Sequence, residues 1–390
     1  MLCCTWTHRP LPALAPFASE GGEGHTVRGG GAVGRTAYLQ GQKAAGRKVA
    51  AVWPARYPAE LLWAHGVCPA EVWDPPAGQA LAGAHLQSYV CGIVRQGLEL
   101  LLSGGLTTAD ILLFPHTCDS IQNLGSLVRD LVHEPRPCLY FYPPRSGRSE
   151  RAAVYLEAQL RTLSADLTRI AGPLRDGALE GALALGNGRA ASLRHMYDLR
   201  ARGALDASNE EFYGAVRTCE YLWPEDAVLH LEAFMKTHAG RPRRGVPLVL
   251  SGVLPAPSDL AQRLDGLSVA VVEDDLLACG RRFARALLPE PGDPWRAMAA
   301  RLLALPPCST AGDSVEDRAS FLAEQVERTG GRGVLVLALK FCEPELFQIP
   351  SLVDAMRGRG IPVLAVETEL GNSAPAGMMT RVEAFLESLP

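Results

Sequence analysis

Two segments of the sequence place thiols where parallel-sheet proteins bind their ligands. In LFPHTCDSIQNL (113–124), His116 and Cys118 come just after an apolar run with the character of a buried strand. Cys342 directly follows a second such run, VLVLALKF. Ligands of open parallel sheets gather beyond the carboxyl ends of the strands. Both cysteines are therefore candidates for chemistry, provided that each run is a strand of such a sheet.

Three roles are open to Cys118 and Cys342. Free thiols often pack as small hydrophobic side chains and do no chemistry. Cys118 could instead be a nucleophile activated by His116, but residues two apart share a face only in a strand, which makes this a poor pair. Both thiols could also bind an iron–sulfur cluster. Other cysteines are less well placed for chemistry: Cys3, Cys4, Cys68, Cys138, Cys219, Cys279 and Cys308.

The composition excludes several classes of protein. Of the 390 residues 47% are apolar and 21% are charged, and the formal charge of -4 gives no broad positive surface for nucleic acid or an anionic membrane. We find no apolar run of about 18 residues for a membrane helix, and no secretory signal. The 10 cysteines include no C-x-x-C pair, which disfavours zinc ribbons and thioredoxin-like sites. We expect a cytoplasmic protein with no nucleic-acid or membrane partner.

The order of the predicted elements indicates an α/β protein. Apolar runs rich in Val, Ile and Leu alternate with amphipathic helical patterns, which is typical of parallel sheets covered on both faces. We predict two parallel-sheet domains, doubly wound and flavodoxin- or Rossmann-like, with a helical insert between them. The predicted strands lie at 48–54, 109–115, 137–144, 246–254, 267–275, 332–341 and 361–369. The predicted parts are a flexible Gly-rich tail (1–47), a first α/β domain (48–149), a helical segment (150–244) and a second α/β domain (245–390).

Six motifs occur in order between about residue 48 and the C-terminus: SYVCGIVRQGLELL, ILLFPHTCDSIQNL, VVEDDLLACGRRF, RGVLVLALKFCEPELFQIPSL, RGIPVLAVETEL and TRVEAFLESL. Together they resemble a D-component subunit of the 2-hydroxyacyl-CoA dehydratase and benzoyl-CoA reductase family. Several motifs in one order are far more specific than any one of them.

The resemblance implies a cofactor and its ligands. In this family three cysteines hold an iron–sulfur cluster in the cleft between two α/β domains. Matched residue by residue, the ligands are Cys91, in the helix-like segment LQSYVCGIVRQ, together with Cys118 and Cys342, and the cluster is of the 4Fe-4S type. Three thiolates leave one iron with a ligand other than cysteine, and a substrate oxygen could bind there.

The resemblance also implies a reaction, the radical removal of water from an (R)-2-hydroxyacyl-CoA. The β-proton of this thioester is scarcely acidic, so one low-potential electron first turns the carbonyl into a ketyl radical. An ATP-dependent iron–sulfur activator protein supplies the electron, and this chain has no G-x-x-x-x-G-K-[ST] loop of its own. A paralogous subunit is expected, in a heterodimer, or a second copy in a homodimer.

Two other functions stay open. The chain could be a subunit of a benzoyl-CoA-type reductase, which uses the same cluster architecture. It could also be a non-catalytic paralogous partner subunit with a degraded site. Met378, which stands where the family usually has Gln, favours this last alternative, whereas the three retained cysteines oppose it.

Four further residues are candidates for a catalytic role beside the cluster. They are His116, Glu367, Thr380 and Arg381, of which Glu367 matches an acidic position of the family. Thr380 has an alternative role as the N-cap of the last helix, with Glu383 completing a capping box.

Two charged segments have both a functional and a structural interpretation. Glu273, Asp274 and Asp275 end a predicted strand, where they could line the cleft, lie in a subunit contact, or form a solvated turn with local ion pairs. The segment GRPRRG (240–245) could bind the phosphates of coenzyme A or be a solvated linker.

Overall fold

The chain folds into two parallel sheets. The computed structural model describes residues 34–54, 56–75, 78, 80–145, 148–240, 245–283, 292–371 and 373–390. The strands are β1 (Lys48–Val52), β2 (Val67–Glu71), β3 (Ile111–Pro115), β4 (Cys138–Phe141), β5 (Val246–Gly252), β6 (Val269–Leu276), β7 (Gly333–Leu339) and β8 (Val363–Thr368). The first four form one sheet and the last four form the other.

Helices connect and cover the strands. They are α1 (Arg35–Ala44), α2 (Ala59–Ala64), α3 (Gly92–Leu102), α4 (Asp119–Asp130), α5 (Glu150–Ala171), α6 (Ala178–Ala201), α7 (Asn209–Thr218), α8 (Pro224–Thr237), α9 (Leu260–Gly266), α10 (Pro294–Leu303), α11 (Val315–Thr329), α12 (Glu343–Gly358) and α13 (Ala376–Ser388). In the part of the chain that the structure describes, no helix is both long and apolar enough to span a membrane.

The two sheets have the same strand order. The first is β2-β1-β3-β4 and the second is β6-β5-β7-β8, and every neighbouring pair is parallel. This is the doubly wound, flavodoxin-like order, in which the chain changes direction of winding between the first and third strands. The prediction of two parallel-sheet α/β units is confirmed.

Burial along the strands explains why they were recognisable. All residues of β6 and β7 are buried, as expected of strands covered on both faces. The sequence of β7 is accordingly a continuous apolar run, whereas β6 is apolar in its first half (VAVV) and ends in EDDL. Buried and partly exposed positions alternate along β4, and β8 mixes buried, partly exposed and exposed positions. The seven predicted strands therefore correspond to seven of the eight observed ones.

The eighth strand, β2, was missed. It lies at the edge of the first sheet, pairs with β1 alone, and contains Cys68 and Pro69. Proline cannot donate a hydrogen bond to a neighbouring strand, so within a short run it argues against a strand. An edge strand tolerates it, because one side of the strand has no partner.

Helices α5 to α8 lie between β4 and β5 in the chain, where the helical segment was predicted. Helix α6 packs against α2 and α8 and also against β6, so it contacts elements of both halves. Helix α1 falls inside the range predicted as a flexible tail, and residues 1–33 lie outside the described residues. The predicted domain boundaries stay a prediction.

Candidate functional site

Each of the three cysteines matched to the family ligands caps the N-terminus of a helix. Cys91 precedes α3, Cys118 precedes α4 and Cys342 precedes α12. Cys91 thus stands before its helix, and the prediction that it lies within one is wrong by a single position. Cys118 and Cys342 follow β3 and β7, at the carboxyl ends of these strands.

The three thiols line one cleft. Its volume is about 250 Å³, and its walls come from Cys91 just before α3, from the starts of α4 and α12, and from the loops that follow β4, β7 and α10. Cys91 is buried, whereas Cys118 and Cys342 are half-buried. The structure thus brings together three cysteines that are far apart in sequence.

The electrostatics of the cleft disfavour three thiolates without a compensating positive charge. Burial, together with the charge that Cys118 would carry, raises the pKa of Cys91 to about 12. Burial also raises the pKa of Cys118. It raises the pKa of Cys342 well above the usual range, helped by the charges of Cys91, Glu345 and Cys118. A bound metal has the opposite effect on the pKa of a thiol, because a thiol that coordinates a metal is deprotonated.

The helix N-termini act in the direction that metal binding needs. Backbone N–H groups of Ile93 and Val94 lower the pKa of Cys91, although by less than burial raises it. Each helix also carries partial positive charge at this end. None of the three thiols makes a regular cap hydrogen bond.

The donor set of the cleft consists of three thiols, each from the start of a helix. Among the described residues, no three side chains of His, Cys, Asp or Glu converge closely enough to share one metal ion. A cluster does not need that convergence, because each thiolate binds a different iron and the sulfur atoms can stand farther apart. Three thiols around one cleft meet this requirement.

Several other side chains that line the cleft were not predicted. Arg145 follows β4 and donates a hydrogen bond of 3.0 Å from Nη2 to the carbonyl oxygen of Thr117. It could have been found by the same argument that identified Cys118, because it too follows a strand. Ser309, which comes from the loop after α10, carries no such signal. Phe341 has a left-handed backbone, with φ of 60°, immediately before Cys342.

The four candidate catalytic residues do not line the cleft. His116 borders a smaller cavity with Arg56, and its Nε2 lies 3.4 Å from Asp119 Oδ1. Glu367 is exposed and lies 3.4 Å from Lys340 Nζ. Arg381 donates a hydrogen bond from Nη2 to the Ala365 carbonyl oxygen over 2.8 Å.

Thr380 is not an N-cap. Helix α13 begins four residues earlier, at Ala376, with Pro375 as its N-cap. Proline has the φ angle that a helix start needs, so the helix begins there and runs through Thr380. The Thr380 hydroxyl donates back to the Ala376 carbonyl oxygen over 3.2 Å, on the exposed side of the helix. Met378 is buried in the core and does not line the cleft.

The acidic run is buried, so its interpretation as a solvated turn is wrong. Strand β6 continues through Glu273, Asp274 and Asp275, and all three are at most 1% exposed. Asp274 accepts hydrogen bonds from the hydroxyls of Tyr197 (2.7 Å) and Tyr213 (3.2 Å). These partners are distant in sequence, and local charge patterning could not indicate them. Most of GRPRRG, residues 241–244, lies outside the described residues.

A buried ion network supports the helix that carries Cys342. Glu345, in the first turn of α12, accepts hydrogen bonds from Arg281 Nη1 (2.6 Å), Arg318 Nη2 (2.9 Å) and Ser309 Oγ (3.0 Å). Burial alone would raise the pKa of Glu345, but the two guanidinium groups lower it to about 2. The network therefore fixes the start of α12 beside the cleft.

Comparisons with known proteins find relatives that cover most of this chain. The chain is 24% identical to the beta subunit of lactoyl-CoA dehydratase from Anaerotignum propionicum, over 88% of this chain and 92% of that protein. It is 28% identical to a benzoyl-CoA reductase subunit from Thauera aromatica, over 88% of this chain and 91% of that protein. It is 24% identical to the beta subunit of (R)-2-hydroxyglutaryl-CoA dehydratase from Acidaminococcus fermentans, over 89% of this chain and 94% of that protein.

A family model gives the assignment. The model of the 2-hydroxyglutaryl-CoA dehydratase D-component matches residues 54–389, which include all three cysteines of the cleft and seven of the eight strands, all but β1. The chain therefore belongs to the 2-hydroxyglutaryl-CoA dehydratase D-component family.

Proposed function

We propose that this chain is the iron–sulfur subunit of an (R)-2-hydroxyacyl-CoA dehydratase, and that it binds a 4Fe-4S cluster through Cys91, Cys118 and Cys342. One observation carries the proposal: three thiols from distant parts of the sequence line a single cleft, each at the N-terminus of a helix. The membership of the family and the dehydratase names of two relatives support the reaction class.

The residues of the cleft would hold and shield the cofactor. When bound, the cluster would supply a low-potential electron to the chemistry of a CoA thioester. The three thiolates would bind it, and the helix N-termini would offset part of their negative charge. Phe341 and Phe347 present apolar side chains to the cleft and would limit the access of water.

We propose two protein partners, a paralogous subunit and an ATP-dependent activator protein. Each of the three relatives is named as one subunit of its enzyme, which supports a multi-subunit assembly. At the cleft, Phe347 is 82% exposed, and a docked partner would cover this large apolar side chain. A cytoplasmic location and sensitivity to oxygen follow from the same proposal.

The second candidate is a benzoyl-CoA-type reductase. It is favoured by the identity of 28% to a benzoyl-CoA reductase subunit, against 24% to the two dehydratase subunits. The candidates can be separated by assays of the anaerobically assembled complex, with its partner subunit and activator, on (R)-2-hydroxyacyl-CoA substrates and on benzoyl-CoA. Loss of water from the first, without reduction of the second, is the expected result.

The cluster is tested by anaerobic purification followed by iron and sulfide analysis. We expect the wild-type protein to contain both, and the Cys118→Ala and Cys342→Ala variants to lose most of them. Cys138→Ala is the matched control, because Cys138 is also half-buried, as the first residue of β4, but lies outside the cleft. Equal iron in wild type and in Cys118→Ala would contradict the proposal.

A further inference from the structure

A second cavity, here named the arginine pocket, lies where the two sheets approach each other. It has a volume of about 240 Å³. Its walls include residues that follow β1, β2 and β6, with helices α2, α6 and α10 around them. Ligands of parallel-sheet proteins gather beyond the carboxyl ends of strands, and this cavity has that position for strands of both sheets.

The lining of the arginine pocket is rich in arginine. Two glutamates, Glu60 and Glu71, face six arginines: Arg56, Arg189, Arg194, Arg281, Arg282 and Arg301. Much of this charge is compensated, because Arg301 pairs with Glu60, Arg282 with Glu71, and Arg281 with Asp275 and Glu345, while Arg56 lies 3.8 Å from Asp313. A guanidinium group that lacks such a carboxylate favours an anion in the cavity.

Arg189 is the arginine whose charge stays uncompensated. Its Nη2 donates to the carbonyl oxygen of Cys219 over 3.0 Å, and its guanidinium carbon lies 5.6 Å from the centre of the Trp63 ring. Neither contact is with a carboxylate, and none of the described residues forms an ion pair with Arg189. A half-buried charge without a counterion is costly unless a ligand supplies one.

Three buried nitrogen atoms on residues of this lining have no hydrogen-bond partner within the described residues. They are Nε of Arg56, Nε1 of Trp63 and Nε of Arg189. All three are donors, so the missing partners are acceptors. Buried donors are rarely left unpaired in folded proteins, and a small rotation of these side chains towards an acceptor in the cavity would satisfy them.

Aromatic side chains form the rest of the binding surface. Trp63, Trp73 and Tyr57 line the cavity along with the arginines. A ligand that combined oxygen acceptors with an aromatic or aliphatic part would match both components of this lining. Phosphate suits the polar component, because it offers several charged oxygens to planar guanidinium groups.

We propose that the arginine pocket binds a phosphate-bearing ligand of the nucleotide type, with its phosphates at Arg189 and Arg56 and its aromatic part against Trp63 and Trp73. Two molecules share this chemistry, a free nucleoside diphosphate and the adenosine phosphate end of coenzyme A. Only the second source rests on the proposed function. Arg56 also borders the small cavity that contains Thr117, the residue before Cys118, so coenzyme A bound here would extend towards the cysteine cleft.

The proposal is tested by isothermal titration calorimetry of the full chain with pyrophosphate, ADP and coenzyme A. We expect binding of ADP or coenzyme A by the wild type, weakened about tenfold to a hundredfold in Arg189→Gln because a charge-assisted hydrogen bond is lost. Arg189→Lys keeps the charge and should recover part of the affinity. Arg169→Gln is the control, because Arg169 is 75% exposed on α5, away from the cavity.

The outcomes distinguish the two ligands and the two proposals. Tighter binding of coenzyme A than of ADP, with both dependent on Arg189, identifies coenzyme A as the source, and the reverse order identifies a free nucleotide. Absence of binding of all three probes, or equal affinity of wild type and Arg189→Gln, would overturn the assignment. Iron content is measured on the same samples, so the failure of the arginine pocket and the failure of the cluster are separate results.

Discussion

Cys118 and Cys342 occupy equivalent positions in the two sheets. Cys118 caps the helix after β3 and Cys342 caps the helix after β7, and these strands hold the same place in the orders β2-β1-β3-β4 and β6-β5-β7-β8. In this topology the crevice for ligands opens beside that strand. Each sheet therefore contributes one thiol from its own crevice. The two crevices face each other, and together they form the cleft that the thiols share. Cys91, from the connection before β3, adds the third.

The ion network behind Cys342 predicts a pH-dependent loss of stability in Glu345→Gln. Because Arg281 and Arg318 lower the pKa of Glu345 to about 2, its ionised form stabilises the folded protein above the usual pKa of a glutamate. This contribution is lost as the pH falls from 4.5 towards 2. We expect the variant to lose about 3 kcal/mol of unfolding free energy at pH 7, and about 1 kcal/mol less at pH 3.5.

Urea unfolding at the two pH values measures this difference. Glu343→Gln is the control, because Glu343 lies in the same helical turn but is exposed, and its loss should cost less than about 1 kcal/mol. A loss in Glu345→Gln that did not change between pH 7 and pH 3.5 would show that the charge of Glu345 is not the source of the stability.

The two sheets are also linked by a buried ion pair that predicts a second large effect. Arg282, after β6, pairs with Glu71 at the end of β2 and lies 3.7 Å from Glu220, and both carboxylates are at most 5% exposed. Arg282→Met would leave them partly uncompensated and should lower the unfolding free energy by about 3 kcal/mol. Arg296→Met breaks an ion pair with Glu150 that is more than half exposed, and should cost less than about 1 kcal/mol. Similar urea midpoints for the two variants would contradict this.

The sequence was most informative where local pattern alone determines structure. A continuous apolar run identified β7, the shorter apolar run VAVV identified β6, and the rule that ligands gather beyond strand ends identified Cys118 and Cys342. Cys91 was found only by resemblance, because it follows a turn and no strand. The buried state of Asp274 could not be predicted, since its stability depends on Tyr197 and Tyr213, which lie about sixty to eighty residues away in sequence.

Gly312 lies at the edge of the cleft, close to the backbone of Arg145, and this contact makes it sensitive to substitution. Its φ is +75°, and a Cβ atom would lie 2.2 Å from the carbonyl oxygen of Arg145. Gly330 has a similar φ of +66° but open space around it. Gly330→Ala should therefore cost about 1 kcal/mol from backbone strain, and Gly312→Ala about 1–3 kcal/mol more from the clash. Equal unfolding free energies for the two variants would show that the Arg145 loop yields freely.

The stability of a Thr380 variant distinguishes two positions for this residue: the N-cap of the last helix, as the sequence predicts, and the interior of α13, as the structure shows. If Thr380 were an N-cap, Thr380→Ala would cost about 1 kcal/mol. Inside the exposed face of α13, alanine is the better helix former, so we expect the variant to be unchanged or more stable by about 0.5 kcal/mol. Ser149→Ala is the comparison, because the Ser149 hydroxyl does cap α5 by accepting from the Ala152 N–H over 3.2 Å. We expect thermal unfolding to show a loss for Ser149→Ala alone, and a matching loss in Thr380→Ala would move the start of α13 to Thr380.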